Sequence, residues 1–316
     1  MPPIPRRTAL AALAGLAGLG GLPLLAAGCT GSRPPASRLT IGTGSADGVY
    51  YALGQALAGT WAEQLGVRSE VRTTAGSVAN IELLRNRSVD VVFSQVDAAA
   101  EPTPDPPLCA LARMHDDFMH VVVRRDTNVT TLSGLRGMRL SMGAERSGVQ
   151  MIARRLLAEA ELDPDRDLPI ERLSIDESVR EMLAGRIDGF FWSGGLPTLG
   201  VRRLAEAMPV RLLDLREVLP GLRRQYRVYD QGTIPASTYR RGEPVTALVV
   251  RNLLLVRADM PDDLAEALTR GLFASLGGLA RANAAAATIG VRAAIGTAPL
   301  PLHPGAERYY RDVKKH

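Results

Sequence analysis

Short apolar runs and longer stretches of helical spacing take turns along most of this chain. Residues 39–41 read as a strand. Residues 50–65 read as a helix, with Tyr50, Leu53, Leu57, Trp61 and Leu65 on one apolar face. A strand over 70–74 and a helix over 78–86 follow, with Ser77 as candidate N-cap. Residues 89–93 form a third strand, ending in Ser94 and Gln95. The segment 101–107 (EPTPDPP) is too rich in proline for regular structure and marks a loop.

Residues 108–113 and 118–124 read as two further strands, near a crossing into a second domain. There the alternation repeats: strands over 138–142, 171–174 and 187–192, and helices over 149–162, 176–184 and 198–207. A long apolar strand over 245–256 returns the chain to the first domain. The helix over 261–276 carries Leu264, Leu268, Leu272 and Leu276 on one face, with Pro261 suited to its first turn. Strand–helix alternation of this kind predicts an α/β fold with mostly parallel sheets flanked by helices. Ligands of such sheets bind at the carboxyl ends of the strands.

Gly/Ser-rich turns fall at those ends, over 42–48, 75–77, 143–148 and 193–197. Helix N-termini present unpaired N–H groups and favour anions, by about 0.3–1 kcal/mol per exposed end. Four converging ends could hold a small acid without a cationic side chain. Any one turn is also explained by conformation alone, since glycine and serine suit tight strand-to-helix connections.

Composition changes this picture little. With 316 residues the prior is roughly two domains of about 100–200 residues. Apolar residues make up 46% and charged residues 22%, enough for a sizeable core. Aromatics are 4%, so that core rests on Leu, Val, Ile and Ala. The net charge is +5, to which Arg6 and Arg7 contribute two. The remaining cations are dispersed, which argues against nucleic acid.

The first residues are different in kind. A short basic start is followed by an uncharged stretch over 9–27 and then Ala27-Gly28-Cys29, the layout of a secretory signal. Cysteine at the cleavage point resembles a bacterial lipoprotein signal, which implies a lipidated Cys29 and an exported protein held on the outer face of the cytoplasmic membrane. Residues 1–28 would be the leader and 29–37 a polar, proline-rich tether. The alternative is a retained transmembrane anchor, for which Gly15, Gly18, Gly20, Gly21 and Pro23 make a poor helix. Arg6-Arg7 also faintly resembles a twin-arginine export signal.

Candidate chemistry is sparse. Cys109 sits in an apolar run and reads as a buried thiol. His115, His120, His303 and His316 form no cluster with cysteine, so no zinc site and no other metal or cofactor is expected. Gly42-x-Gly44-x-x-x-Gly48 is one residue too long for the dinucleotide fingerprint, and no P-loop occurs. There is no G-x-S-x-G elbow. Asp116-Asp117 and Asp262-Asp263 read as solvated turns or caps. No enzymatic activity is expected.

The turns together resemble the TAXI solute receptors of tripartite ATP-independent periplasmic (TRAP) transporters. The blocks are LTIGTGSADGVYYALGQALA (39–58), TTAGSVANIELLRNRSVDVVFSQVDAA (73–99), LRGMRLSMGAERSG (135–148), IDGFFWSGGLP (187–197) and PLHPGAERYY (301–310). The resemblance implies a two-lobed periplasmic-binding-protein fold of the second type, closing over a small carboxylate such as glutamate. It implies one lobe from 38–123 plus 240–316 and the other from 124–239, with TRAP permease subunits as partners. Carried over by position, the ligand-binding residues would be Gly44, Ser45, Tyr50, Ser77, Asn80, Ser94, Gln95 and Asp97 on one side. Ser147, Gly148, Gly194, Gly195 and Pro197 would face them. The family's third turn is usually Gly-Ser-Gly-Thr, whereas here it is Arg146-Ser147-Gly148-Val149. Arg146 is therefore either a solvated loop charge or a partner for a second ligand carboxylate. A surface sensor or scaffold of the same fold is the other function class open to the sequence.

Overall fold

The computed structural model describes residues 38–101, 107–239 and 243–315. The expected leader, tether and Cys29, and most of the proline-rich loop, lie outside them. In chain order the strands are β1 (Arg38–Gly42), β2 (Arg68–Arg72), β3 (Val91–Gln95), β4 (Leu108–Arg124), β5 (Leu140–Ser141), β6 (Ile170–Glu171), β7 (Gly189–Gly194), β8 (Val210–Leu212), β9 (Tyr229–Ile234) and β10 (Val245–Arg257). The helices are α1 (Val49–Leu65), α2 (Ser77–Arg85), α3 (Val96–Ala99), α4 (Gly148–Glu159), α5 (Pro164–Asp167), α6 (Ile175–Leu183), α7 (Leu199–Ala207), α8 (Leu219–Gln225), α9 (Asp262–Ala274), α10 (Leu276–Ala282), α11 (Val291–Ala294) and α12 (Pro304–Val313).

The sheet runs β2-β1-β3-β10-β4-β7-β5-β6, with β8 beside β4 and β9 beside β10. β2, β1 and β3 are parallel, as are β7, β5 and β6. Between these triplets run β4 and β10, antiparallel to each other and to their neighbours. Both are shared. β4 pairs with β10 as far as Phe118 and with β7 from Phe118 onward. β10 pairs with β9 over Val245–Val250 and with β3 over Asn252–Val256. The result is a two-lobed α/β fold, each lobe a parallel sheet flanked by helices and joined through two long strands.

The first lobe packs α1 against β1 and β3, burying Leu53, Leu57 and Trp61 completely together with Leu268 and Leu272 of α9. Each such side chain contributes roughly 1.5–3 kcal/mol by leaving water. Gly66, at φ 69°, ends α1 in the left-handed conformation that glycine adopts without penalty. A second cluster runs under α2 and α3 and continues beneath α4. A third joins α6 and α7 through Val179, Met182, Val201 and Leu204. A capping box between Ser174 and Glu177 starts α6.

Two expectations change here. The two strands expected over 108–124 are one strand, broken in appearance by polar residues at 115–117. Asp117 is not a solvated turn: it lies mid-strand and is 4% exposed, while Asp116 points the other way and pairs with Arg113. β8, α8, β9 and α12 carry too few apolar repeats to stand out in the sequence. Cys109 is buried as expected, and burial pushes its thiol up.

Candidate functional site

A cavity of about 170 Å³ lies where the carboxyl ends of β1, β3 and β7 meet the N-terminal ends of α1, α2, α4 and α6. From the first lobe it takes Gly44, Ser45, Tyr50, Thr74, Ser77 and Gln95. The second lobe supplies Ser147, Gly148, Val149, Ser174, Ser193 and Gly194, with Trp192 alongside. His115 and Asp117 on the shared strand β4 also line it.

The first turn is tied down by its neighbours. Thr43 donates through its backbone N–H and its hydroxyl to the carbonyl of Arg72, at 3.0 and 2.8 Å. Thr74 N–H donates to Gly44 O at 3.2 Å. These bonds hold Gly44 and Ser45 at the cavity. Gly76 has φ 114°, a conformation open to glycine and strained for other residues, and it lies beside Ser147 of the second lobe.

Ser77 is the first residue of α2, not its cap. Its hydroxyl accepts from Gln95 N–H at 3.0 Å and lies 3.4 Å from the Tyr50 hydroxyl. Tyr50 donates to Asn252 Oδ1, and Asn252 Nδ2 donates to His115 O at 3.1 Å. Burial, with the charge of Asp117 adding to it, pushes the Tyr50 phenol well above its ordinary value, so it stays a neutral donor. Gln95 reaches across the cleft: its Nε2 donates to Asp117 Oδ2 at 3.1 Å and to Ser193 Oγ at 2.7 Å.

The lobes also meet at the rim. Ala79 N–H donates to Arg146 O at 3.1 Å, and the Arg146 guanidinium pairs with Glu82. Arg146 lies outside the cavity lining and stays exposed as a loop charge, beside Glu82 of the other lobe's α2 helix. Its φ of 62° is the left-handed geometry that the glycine of the TAXI-like pattern would adopt easily.

Of the residues expected from the sequence, Gly44, Ser45, Tyr50, Ser77, Gln95, Ser147, Gly148 and Gly194 line the cavity. Asn80, Ser94, Asp97, Gly195 and Pro197 do not. Asn80 is fully buried behind the turn, where it donates to Thr43 O at 2.5 Å and Phe93 O at 2.8 Å and accepts from the Thr74 hydroxyl at 2.7 Å. Ser94 is buried and donates to Gln95 O at 3.0 Å. Asp97 accepts from the Tyr229 hydroxyl at 2.7 Å and lies 3.4 Å from Arg155 Nη1, which ties the end of β3 to α4 and β9. Burial raises its carboxyl above the ordinary value, against the pull of Tyr229 and Arg155. Gly195 packs against Ala285, and Pro197 lies outside the lining.

The fourth helix end at the cavity is that of α6, through Ser174 and Ile175, and not that of α7. Thr198 turns α7 aside, accepting from Trp192 Nε1 at 3.1 Å and donating to Gly195 O at 2.9 Å. His115 and Asp117 were missed because they sit inside a strand and away from any glycine turn. The signal that could have found them is a polar i, i+2 pair interrupting an apolar strand. Among the described residues no arginine or lysine lines the cavity. Among the described residues no group of three or more His, Cys, Asp or Glu could hold a metal ion.

The sequence matches the model of the NMT1-like family over residues 41–313. The fold is similar to that of the alkanesulfonate-binding protein of Xanthomonas axonopodis pv. citri bound to MOPS, with TM-score 0.50 and 18% identity over 88% of this chain and 84% of that one. It is similar to a structure described as a periplasmic transporter, with TM-score 0.53 and 13% identity over 89% and 94%. A putative L-cystine ABC transporter from Listeria monocytogenes aligns with TM-score 0.50 and 13% identity over 78% and 94%. These likenesses place the chain in the type 2 periplasmic-binding-protein fold.

Proposed function

The chain belongs to the NMT1-like family, and from that premise we propose that it is an extracytoplasmic receptor that captures a small carboxylate for a membrane transporter. The observation that carries this reading is the cavity between the lobes, ringed by the starts of four helices. The first N–H groups of a helix have no acceptor within it. Ser77, the first residue of α2, and Gly148 and Val149, the first two of α4, stand at such positions on the cavity lining. A carboxylate there gains about 0.3–1 kcal/mol from each exposed end, and up to about 2 kcal/mol where the geometry is partly buried. The transporter is taken to be of TRAP type, on the strength of the blocks at 39–58 and 73–99. The lobes are taken as 38–123 plus 240–316 and 124–239.

The test is mass spectrometry of solute released from the denatured, purified protein, followed by rebinding. A small carboxylate is the expected product. Trp192 lines the cavity whereas Trp61, the other tryptophan, is fully buried in the first lobe. Rebinding should therefore change Trp192 fluorescence, and Trp192→Phe should abolish that change. The carboxylate reading fails if the amide of the recovered acid binds as tightly as the acid.

Retention on the outer face of the cytoplasmic membrane is proposed to depend on lipidated Cys29. One acyl chain anchors only marginally, while several hold firmly. Cys29→Ala should release the protein from the membrane fraction or leave it uncleaved. Retention of a mature chain with an unmodified Cys29 would end this proposal.

A further inference from the structure

We propose that Thr198, Tyr239 and His120 are positioning residues of the solute site: together they hold the indole of Trp192 at the cavity wall and tie its pose to the point of β4 where the two lobes join. The inference rests on reading the cavity as a solute site.

Trp192 lines the cavity from the second lobe. Its indole N–H donates to Thr198 Oγ1 at 3.1 Å. A methyl group on Gly194 would sit 2.5 Å from the same nitrogen, so the backbone of β7 also packs against this edge of the indole. Thr198 is itself fixed twice. Its hydroxyl donates to Gly195 O at 2.9 Å, and its backbone N–H donates to the Tyr239 hydroxyl at 3.1 Å. Tyr239 is 7% exposed, and its hydroxyl lies 2.7 Å from Nε2 of His120, which is 1% exposed. His120 Nδ1 lies 2.8 Å from Phe118 O.

These bonds run in one direction. A carbonyl oxygen only accepts, so Nδ1 of His120 carries the ring proton. In the neutral imidazole Nε2 is then an acceptor and takes the Tyr239 proton. Burial pushes the imidazole down to about 4, which keeps it neutral. With its proton spent on His120, the Tyr239 hydroxyl offers Thr198 a lone pair, which is what a backbone N–H needs. The Thr198 hydroxyl proton goes to Gly195 O, which leaves a lone pair for the indole. Each bond thus sets the orientation of the next. At the far end, Phe118 is where β4 passes from β10 to β7: it pairs with Val249 on one side and Gly194 on the other. Tyr239 closes the short 3-10 turn ahead of β10. A change where the lobes join therefore reaches the cavity wall through this series of bonds.

The experiment is NMR of the full mature chain with isotope-labelled indole nitrogens and no solute added. The chain has two tryptophans, and Trp61 donates to Leu268 O at 3.2 Å in the first lobe, so its resonance is an internal control. Trp192→Phe assigns the other resonance. Tyr239→Phe removes only the hydroxyl. It should shift the Trp192 resonance and speed exchange of its N–H with water roughly three- to tenfold, the effect of one lost neutral hydrogen bond. Thr198→Val takes away the acceptor itself and should act more strongly, while Thr198→Ser should behave as wild type. Once Thr198→Val is present, Tyr239→Phe should add nothing. Loss of fold moves both resonances, whereas loss of position moves that of Trp192 alone. An unmoved Trp192 resonance in Tyr239→Phe would overturn the proposal, and so would equal shifts from Tyr239→Phe with and without the Thr198 hydroxyl. Labelled histidine in the wild-type chain gives a readout that survives the misfolding of any variant: His120 should show the Nδ1–H tautomer, and the Nε2–H tautomer would overturn the relay. None of these readouts needs a solute, so a cavity that binds none would end the solute-site reading and leave the shifts in place.

Discussion

Replacing Gly148 with alanine is expected to lower solute affinity about tenfold to a hundredfold, with the melting temperature of the unliganded protein unchanged or slightly raised. Gly148 opens α4 on the second lobe, and Gln95 of the first lobe lies directly against its Cα. A methyl group there would sit 2.8 Å from Gln95 Cδ and 3.1 Å from Ser77 Oγ. These contacts are made across the cleft, and they are expected to be lost when the lobes part. To make room, Gln95 must give up its bonds to Asp117 and Ser193. The loss of a buried hydrogen bond, with its partner left unsatisfied, costs about 1–3 kcal/mol, and about 1.4 kcal/mol corresponds to tenfold in affinity. With the lobes apart the same methyl group is harmless, and alanine is preferred over glycine in a helix by roughly 0.5–1 kcal/mol. Calorimetry with the recovered solute and melting of the solute-free protein separate the two effects. Equal affinity in wild type and variant would mean that Gln95 and Gly148 are not in contact in the bound state.

Asn80→Ala should cost about 3 kcal/mol of stability and lower the melting temperature by about 6 °C in the absence of any solute. The sequence-based expectation was a ligand contact, which predicts the opposite signature: weaker binding and an unchanged melt. Asn80 is fully buried and has three partners, the carbonyls of Thr43 and Phe93 and the hydroxyl of Thr74. Its side chain joins the ends of β1 and β3 to the turn after β2. Alanine leaves these groups buried without their partner, at about 1–3 kcal/mol for each one that water cannot reach. A chain of this size shifts by roughly 2 °C per kcal/mol. Differential scanning calorimetry on the apo protein is decisive. A variant that melts with wild type while binding poorly would return Asn80 to the ligand shell.

The two residues show where sequence reading stops. Asn80 and Ser77 lie in the same block, TTAGSVAN, three positions apart. One closes the turn from behind and the other faces the cavity. Residue type does not separate them, because both can donate and accept. Which way each points depends on where β3 and α1 pack against the turn.

The sequence by itself determined the alternation of strand and helix, and with it the parallel sheets and the placing of Gly/Ser turns at the strand ends. Those features follow from local spacing and from the conformations glycine permits, which are properties of short segments. It also determined most of the cavity's rim, since a turn at a strand end must lie at the site in such a fold. Only the tertiary structure decided the cavity's wall. His115 and Asp117 enter it because β4 is one long strand shared by both lobes, and that follows from pairings with β10 and β7 far away in sequence. The tertiary structure likewise assigned the fourth helix end to α6 instead of α7, and set Arg146 beside Glu82 on the opposite lobe. The physical reason is the same in each case: a side chain's role is set by what lies across the cleft, and contacts between distant segments leave no periodic trace in the chain.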